Sequence, residues 1–260
     1  MNIYPLYEFP PNVEVLEGIL HYIDYEQPVI SEKLKDFVGE LLGKRPSRTN
    51  ITIKELKKIG IIEGDKEFSL TWETQLYLDL RRPIPNLIIH LIHKIPELFK
   101  ICKDICDLDP ENNLSKPKVL KNLYEIGYQE GKLSTNREKL HGLMRVIQIC
   151  RNSQCSNPFK EYEYFIEWLE NIEGNYLLFT NNRYDENIAL TDLKCKMDEQ
   201  DIQKTNDFEI MLNKLYSDPV FSSFTSFSSV SNNFAKKGYI EFEGNKFYYL
   251  KLKRNLKYWR

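Results

Sequence analysis

Leu56–Leu70 reads LKKIGIIEGDKEFSL, and a close likeness of it returns as FAKKGYIEFEGNKFYYLKL at Phe234–Leu252. Each copy carries a basic step, a Gly, two apolar residues and a Glu, then a Gly-Asp or Gly-Asn pair, a Lys and a run alternating toward Leu. Gly followed by Asp or Asn between alternating runs marks a hairpin turn. The sequence therefore predicts two hairpins, turning at Gly64–Asp65 and Gly244–Asn245, near opposite ends of the chain.

Before the first hairpin, Val13, Leu16, Ile19, Leu20 and Ile23 fall at helical spacing. Ser31 is placed to cap a second helix, EKLKDFVGELL, whose Leu34, Phe37, Val38, Leu41 and Leu42 share a face and which Gly43 ends. A third helix is expected from about Ser47 to Gly60. Three helices and then a hairpin, with ELKKIGIIE closing one and opening the other, resembles the winged helix-turn-helix superfamily. That resemblance implies that the third helix lies in the DNA major groove while the hairpin wing meets the backbone. It assigns Lys44, Arg45, Arg48, Thr49, Asn50, Thr52 and Lys54 to phosphates and base edges, and Lys66 on the wing to phosphates. Gly60 supplies the sharp helix exit, and Ile59, Ile61 and Ile62 plug the core.

The second copy reads the same way. DFEIMLNKLY (Asp207–Tyr216) is an amphipathic helix, and Asp218–Pro219 marks a break. SSFTSFSSVSNNFAKK is expected as a third helix, with Phe224, Phe227, Val230 and Phe234 inward. Ser228, Ser229, Ser231, Asn232 and Asn233 then face outward as reading residues. Lys236, Lys246, Lys253, Arg254 and Lys257 are assigned to phosphates, and the tail NLKYWR either packs on its own domain or stacks on bases.

Between the copies the chain reads as helical. NLIIHLIHKIPELFKICKDIC (Asn86–Cys106) is apolar almost all round and predicts a buried helix kinked at Pro96. Leu114–Ser134 reads as a linker with a short helix, and NREKLHGLMRVIQICR (Asn136–Arg151) as another helix. YEYFIEWLENIEG follows as an acidic amphipathic helix, and NYLLFT (Asn175–Thr180) as a strand. The expected fold class is mainly α with small β-hairpins (α+β). Its expected domains are a winged helix over 1–82, a helical middle over 83–200 and a second winged helix over 201–260. A further winged helix within 117–179 is the alternative for part of the middle.

The chain has 260 residues, 42% of them hydrophobic and 28% charged, which is a globular composition. Its net charge of −2 gives no global pull toward nucleic acid, but the charge is unevenly spread. Lys44–Lys58 holds six basic residues and one acid, and the last ten residues hold five positives and no negatives. Glu161–Met211 holds thirteen acids against four bases. Such polarity orients a polyanion on the basic ends and leaves the acidic 161–211 region for a protein partner. The start, MNIYPLYEFPP, lacks a signal-peptide pattern, no apolar run is long enough for a membrane, and five cysteines without a leader point to the reducing cytoplasm.

Two sets of residues raise other chemistry. Cys102, Cys106, Cys150 and Cys155 could together hold a metal, but their spacing is not that of a zinc ribbon, and core thiols are the simpler expectation. His90, His93 and His141 have no acidic partner at ligand spacing. Asp185, Asp192 and Lys194 loosely match the acid…acid-x-Lys arrangement that resembles restriction-type nucleases, with carboxylates on Mg²⁺ and Lys orienting water. No glycine-rich phosphate loop or hydrolase motif is present, so no cofactor is expected. The expected function is sequence-specific binding of double-stranded DNA, as a transcriptional regulator or the recognition subunit of a restriction or defence complex. A winged-helix protein-interaction subunit and a Mg²⁺-dependent nuclease are the alternatives.

Overall fold

Asn12 opens the first helix by accepting a hydrogen bond from Val15 N on its side chain at 3.0 Å. Helix α1 then runs Val13–Glu26 and buries Leu16, Ile19, Leu20 and Ile23. The computed structural model describes residues 1–43, 46–131, 133–151, 155–198, 207–229, 238–242 and 244–256. Strand β1 (Val29–Ile30) leads into α2 (Ser31–Leu42), which Gly43 ends in the left-handed conformation at φ 57°. Ser31 is the first residue of α2, and no side chain caps it; its backbone N instead donates to Lys66 O at 2.8 Å. Helix α3 spans Pro46–Lys58, and β2 (Ile62–Gly64) and β3 (Glu67–Leu70) form the first expected hairpin. The sheet order is β1-β3-β2, antiparallel throughout, with Phe68 opposite both Val29 and Gly64.

The chain divides into two compact units, Met1–Tyr162 and Glu163–Arg260. After β3 the first unit continues as helices: α4 (Trp72–Asp79), α5 (Ile84–His93), α6 (Pro96–Leu108), α7 (Lys116–Glu125) and α8 (Leu133–Cys150). The kinked helix expected at Asn86–Cys106 is two helices. Ile95 adopts φ −118° and ψ 88°, as a residue before proline prefers, and Pro96 starts α6 afresh. Buried side chains from α5, α6 and α8 form much of this core, among them Leu87, Ile88, Ile101, Leu143 and Ile147.

Helix α9 (Pro158–Phe179) contains the boundary between the units, and in the second unit it carries Phe165, Trp168, Leu169, Ile172 and Tyr176 into the core. This apolar stripe at helical spacing absorbs the strand expected at Asn175–Thr180, so no strand pair completes a winged helix within 117–179 among the described residues. Next come β4 (Ile188–Ala189), α10 (Leu190–Asp198), α11 (Phe208–Ser217), α12 (Pro219–Ser223) and β5 (Thr225–Ser228). Strands β6 (Ile240–Phe242), β7 (Asn245–Phe247) and β8 (Tyr249–Leu252) close the unit. Because β4 pairs with β8, residues on both sides of position 200 share one unit, and the domain boundary expected there is not where the chain divides.

The two units repeat one path. In the first it runs α1-β1-α2-α3-β2-β3; in the second the described elements run α9-β4-α10-α11-α12-β5 and then β8, with the short α12 added before β5, and the sheet order is β4-β8-β5. Leu250 stands opposite both Ile188 and Phe227, as Phe68 stands opposite Val29 and Gly64. Leu190 N donates to Tyr248 O at 2.9 Å, the counterpart of Ser31 N to Lys66 O. Leu193 and Met197 are buried on α10 where α2 buries Leu34 and Val38.

The repeat differs from the one the sequence advertises. In its described part the predicted third helix over Ser222–Lys237 is helical only at Ser222 and Ser223, the end of α12: Thr225–Ser228 is strand β5, paired with β8. Asp218 is the reason for the early helix. Its carboxylate accepts from Val220 N and Phe221 N at 2.9 and 3.1 Å, starting the short α12, and the Thr-Ser-Phe-Ser run then extends. The Gly244 turn does join two arms, β6 and β7, but that hairpin is an added ribbon inside the long connection from β5 to β8. Tyr216, Phe227, Phe242 and Phe247 pack its base, with ring centroids 4.4–5.6 Å apart.

Candidate nucleic-acid interface

Helix α3 has two sides of different chemistry. Thr49, Thr52, Ile53, Glu55 and Leu56 are buried, whereas Ser47, Arg48, Lys54, Lys57 and Lys58 are exposed, with Asn50 and Ile51 half-buried. Thr49 and Thr52 therefore cannot read a base edge, contrary to expectation. Thr52 turns its hydroxyl back to donate to Arg48 O at 3.2 Å, and only 1% of Thr49 is exposed. Ser47, Asn50, Lys54 and Lys57 instead form a continuous outward stripe at helical spacing. Ser47 and Lys57 are not among the residues singled out in the sequence, although the 3.6-residue period through Asn50 and Lys54 runs through both.

The hairpin is tied to this helix. Lys57 Nζ donates to Asp65 at the turn, and Lys57 beside it holds the Asp65 carboxyl below its ordinary range. Gly64 sits at φ 103°, and a Cβ there would lie 1.8 Å from Glu67 O, so the turn requires glycine. Lys66 follows, exposed at the tip. Lys44 and Arg45 lie outside the described residues.

The N-terminal segment braces α3 against α8. Lys58 Nζ donates to Pro5 O, Tyr7 N donates to Glu55 at 3.5 Å, and Glu8 accepts from Arg145 Nη1 at 3.0 Å. Arg145 also donates to Phe9 O at 2.8 Å. Burial pushes the Glu55 carboxyl up, against the opposing pull of Lys58 and the Tyr7 N–H. Between α3, α7 and α8 this arrangement leaves a cleft of about 530 Å³. Glu8, Arg48, Lys116, Arg137 and His141 line it, a grouping drawn from four separate segments that no local motif could reveal.

In the second unit the expected reading residues are not on a helix. Ser228 ends β5, Ser229 follows it, and Ser231, Asn232, Asn233, Lys236 and Lys257 lie outside the described residues. The helix at the position of α3 is α11, which exposes Glu209 and Ile210. Lys246 is exposed, with its Nζ 4.4 Å from the Tyr239 ring centroid, and Arg254 stacks on Phe224 at 4.0 Å. Lys253 is exposed and donates to Ser223 O at 3.5 Å.

In the nuclease set, Asp192 and Lys194 are on helix α10, which begins directly after β4 ends at Ala189. Lys194 pairs with Glu209 at 3.1 Å and Asp185 with Lys251 at 3.1 Å. The four cysteines of the first unit do draw together: Cys102 and Cys106 on α6 share an electrostatic environment with Cys150, and Cys106 with Cys155. Burial pushes all four thiols up, Cys106 to about 11 and Cys155 to about 12. Among the described residues, no group of three or more His, Cys, Asp or Glu side chains is placed to hold a metal ion. No described helix is long and apolar enough to cross a membrane.

Neither a protein-family model, nor a curated protein, nor a solved structure matches the chain.

Proposed function

We propose that the protein binds double-stranded DNA, with the first unit as a winged helix-turn-helix module whose α3 enters the major groove. The observation that carries this reading is the outward stripe of α3, Ser47, Asn50, Lys54 and Lys57, beside a hairpin with Lys66 at its tip. Short polar groups and flexible cations on one helix face suit base edges and phosphates, and the sheet order β1-β3-β2 supports the module. The role is that of a transcriptional regulator or the recognition subunit of a restriction or defence assembly. It belongs in the cytoplasm, where the five free cysteines stay reduced.

The second unit supports a second reading, a protein-interaction module built on the same path. The helix corresponding to α3 exposes Ile210 at 66% beside Glu209, a surface suited to a protein and not to phosphates. This division of labour assigns DNA to the first unit and a partner to the acidic second one.

The test is fluorescence anisotropy of the full chain with a random duplex of about 30 base pairs, at low and physiological salt. Binding is expected to weaken steeply with salt, and Asn50→Ala with Lys54→Ala to weaken it about tenfold. Absence of binding at low salt, or binding that ignores the double substitution, sinks the assignment of α3.

A further inference from the structure

The cleft between α3, α7 and α8 has a charge arrangement that duplex reading does not use. Its buried carboxylate, Glu8, is already satisfied: Arg145 donates to it at 3.0 Å, and His141 Nε2 stands 3.9 Å away. Arg48, whose Nε stands 4.0 Å from Glu8, adds a third partner to that carboxylate, and Lys116 and Arg137 add two further cations, with Glu138 the one other acid in the lining. Lys116 donates to His141 Nδ1, so the imidazole presents an acceptor to α7 and its Nε2 toward Glu8. Cations thus crowd one another here, and Lys116 is held below its ordinary range by burial first and by Arg145 second. An anion in the cleft relieves that crowding.

We propose that this cleft binds a small phosphorylated ligand of about mononucleotide size. The volume of about 530 Å³ is within the range of small-molecule sites. Arg48 and Arg137 present forked donors that match phosphate oxygens, and Lys116 supplies a point charge to the same cleft. Tyr7 and Ile51 provide apolar surface for the remainder of the ligand, and Glu138 an acceptor for its hydroxyl groups. The groups converge from three helices and the N-terminal segment, so the site exists only in the folded first unit. It stands independently of the duplex reading.

Isothermal titration of the full chain with pyrophosphate and with adenosine monophosphate tests the site. Saturable binding of one ligand per chain is expected, weakened at least about tenfold by Arg137→Ala and by Lys116→Ala. Arg137 is exposed and forms no ion pair among the described residues, so its substitution leaves the fold intact, as circular dichroism would verify. Failure of both probes to saturate, or an affinity unmoved in Arg137→Ala, overturns the proposal. A competition arm separates the two sources of phosphate. Duplex DNA in excess should leave pyrophosphate bound; displacement would make the cleft a seat for backbone phosphate and overturn the small-ligand assignment.

Discussion

Gly142→Ala is expected to destabilise the first unit by about 2 kcal/mol, while the same substitution at Gly174 stabilises the second by up to about 1 kcal/mol. Both glycines lie within long helices, where alanine ordinarily gains on glycine because it restricts the unfolded chain. Their surroundings decide the sign. A Cβ on Gly174 meets nothing within 4 Å, whereas one on Gly142 would stand 2.6 Å from Leu6 O and 2.9 Å from Leu6 Cγ. Gly142 N also donates to Leu6 O at 2.9 Å, so the N-terminal segment is held directly against the helix backbone. A methyl group must lift that segment, and with it Leu6 and Phe9, both fully buried. Tyr7 and Glu8 ride on the same segment, so Gly142→Ala should also weaken pyrophosphate binding. Thermal unfolding of both variants reads the contrast. A Gly142→Ala protein stabilised like Gly174→Ala would mean that α8 and the N-terminal segment do not pack this closely.

Acid should destabilise the first unit through His90, beginning well above the range in which carboxylates titrate. The imidazole is fully buried, shares a hydrogen bond of 2.9 Å between Nδ1 and Tyr162 Oη, and meets the Tyr162 ring edge-on, a ring that His93 and Phe99 also contact. Burial holds it down at about 3, with Lys94 and then His93 adding smaller pushes in the same direction. In the unfolded chain the group takes its proton near pH 6.5. Between those values the unfolded state binds one more proton than the folded state. The stability that the neutral ring contributes is therefore complete above about pH 6.5 and is lost as pH falls toward 3, by up to roughly 5 kcal/mol. Denaturant unfolding at a series of pH values should show this slope in the wild type and a flatter one in His90→Gln, which keeps a polar group toward Tyr162. Equal slopes in the two proteins would show that the ring is protonated in the folded state.

The first four expected elements were legible for a clear reason. Leu16, Ile19 and Leu20, and then Leu34 and Val38, carry helical periodicity alone, and Gly64–Asp65 permits the turn that the pairing requires. Thr49 and Thr52 show where that legibility stopped. Polar type said surface, but the period through Ile53 and Leu56 places both on the inner face, where Thr52 satisfies itself on Arg48 O. In the second unit, residue likeness was a poor guide to position. Gly238–Tyr239–Ile240 resembles Gly60–Ile61–Ile62, yet the strand paired like β2 is β5, whose Thr-Ser-Phe-Ser bears no resemblance to it. Strand pairing over such separations is settled by packing beyond the reach of a local pattern. The cleft was illegible for the same reason: Glu8, Arg48, Lys116 and Arg137 meet only once three helices have packed.

The two sheets also differ in what their assembly asks of the chain. The innermost pair of β2 and β3, Gly64 and Phe68, closes a loop of three residues; that of β5 and β8, Ser228 and Tyr249, closes one of twenty, Ser229 to Tyr248. Loop-closure entropy rises as about (3/2)RT ln n, which sets the longer connection about 2 kcal/mol behind the shorter one. The β6–β7 ribbon recovers part of that by shortening the span left to close. The second sheet is accordingly the weaker cooperative element, and amide hydrogens of β5 should exchange with solvent before those of β2 and β3 under native conditions. A single folding path, used twice, thus yields one unit with an early-forming local hairpin and another whose edge remains poised to open.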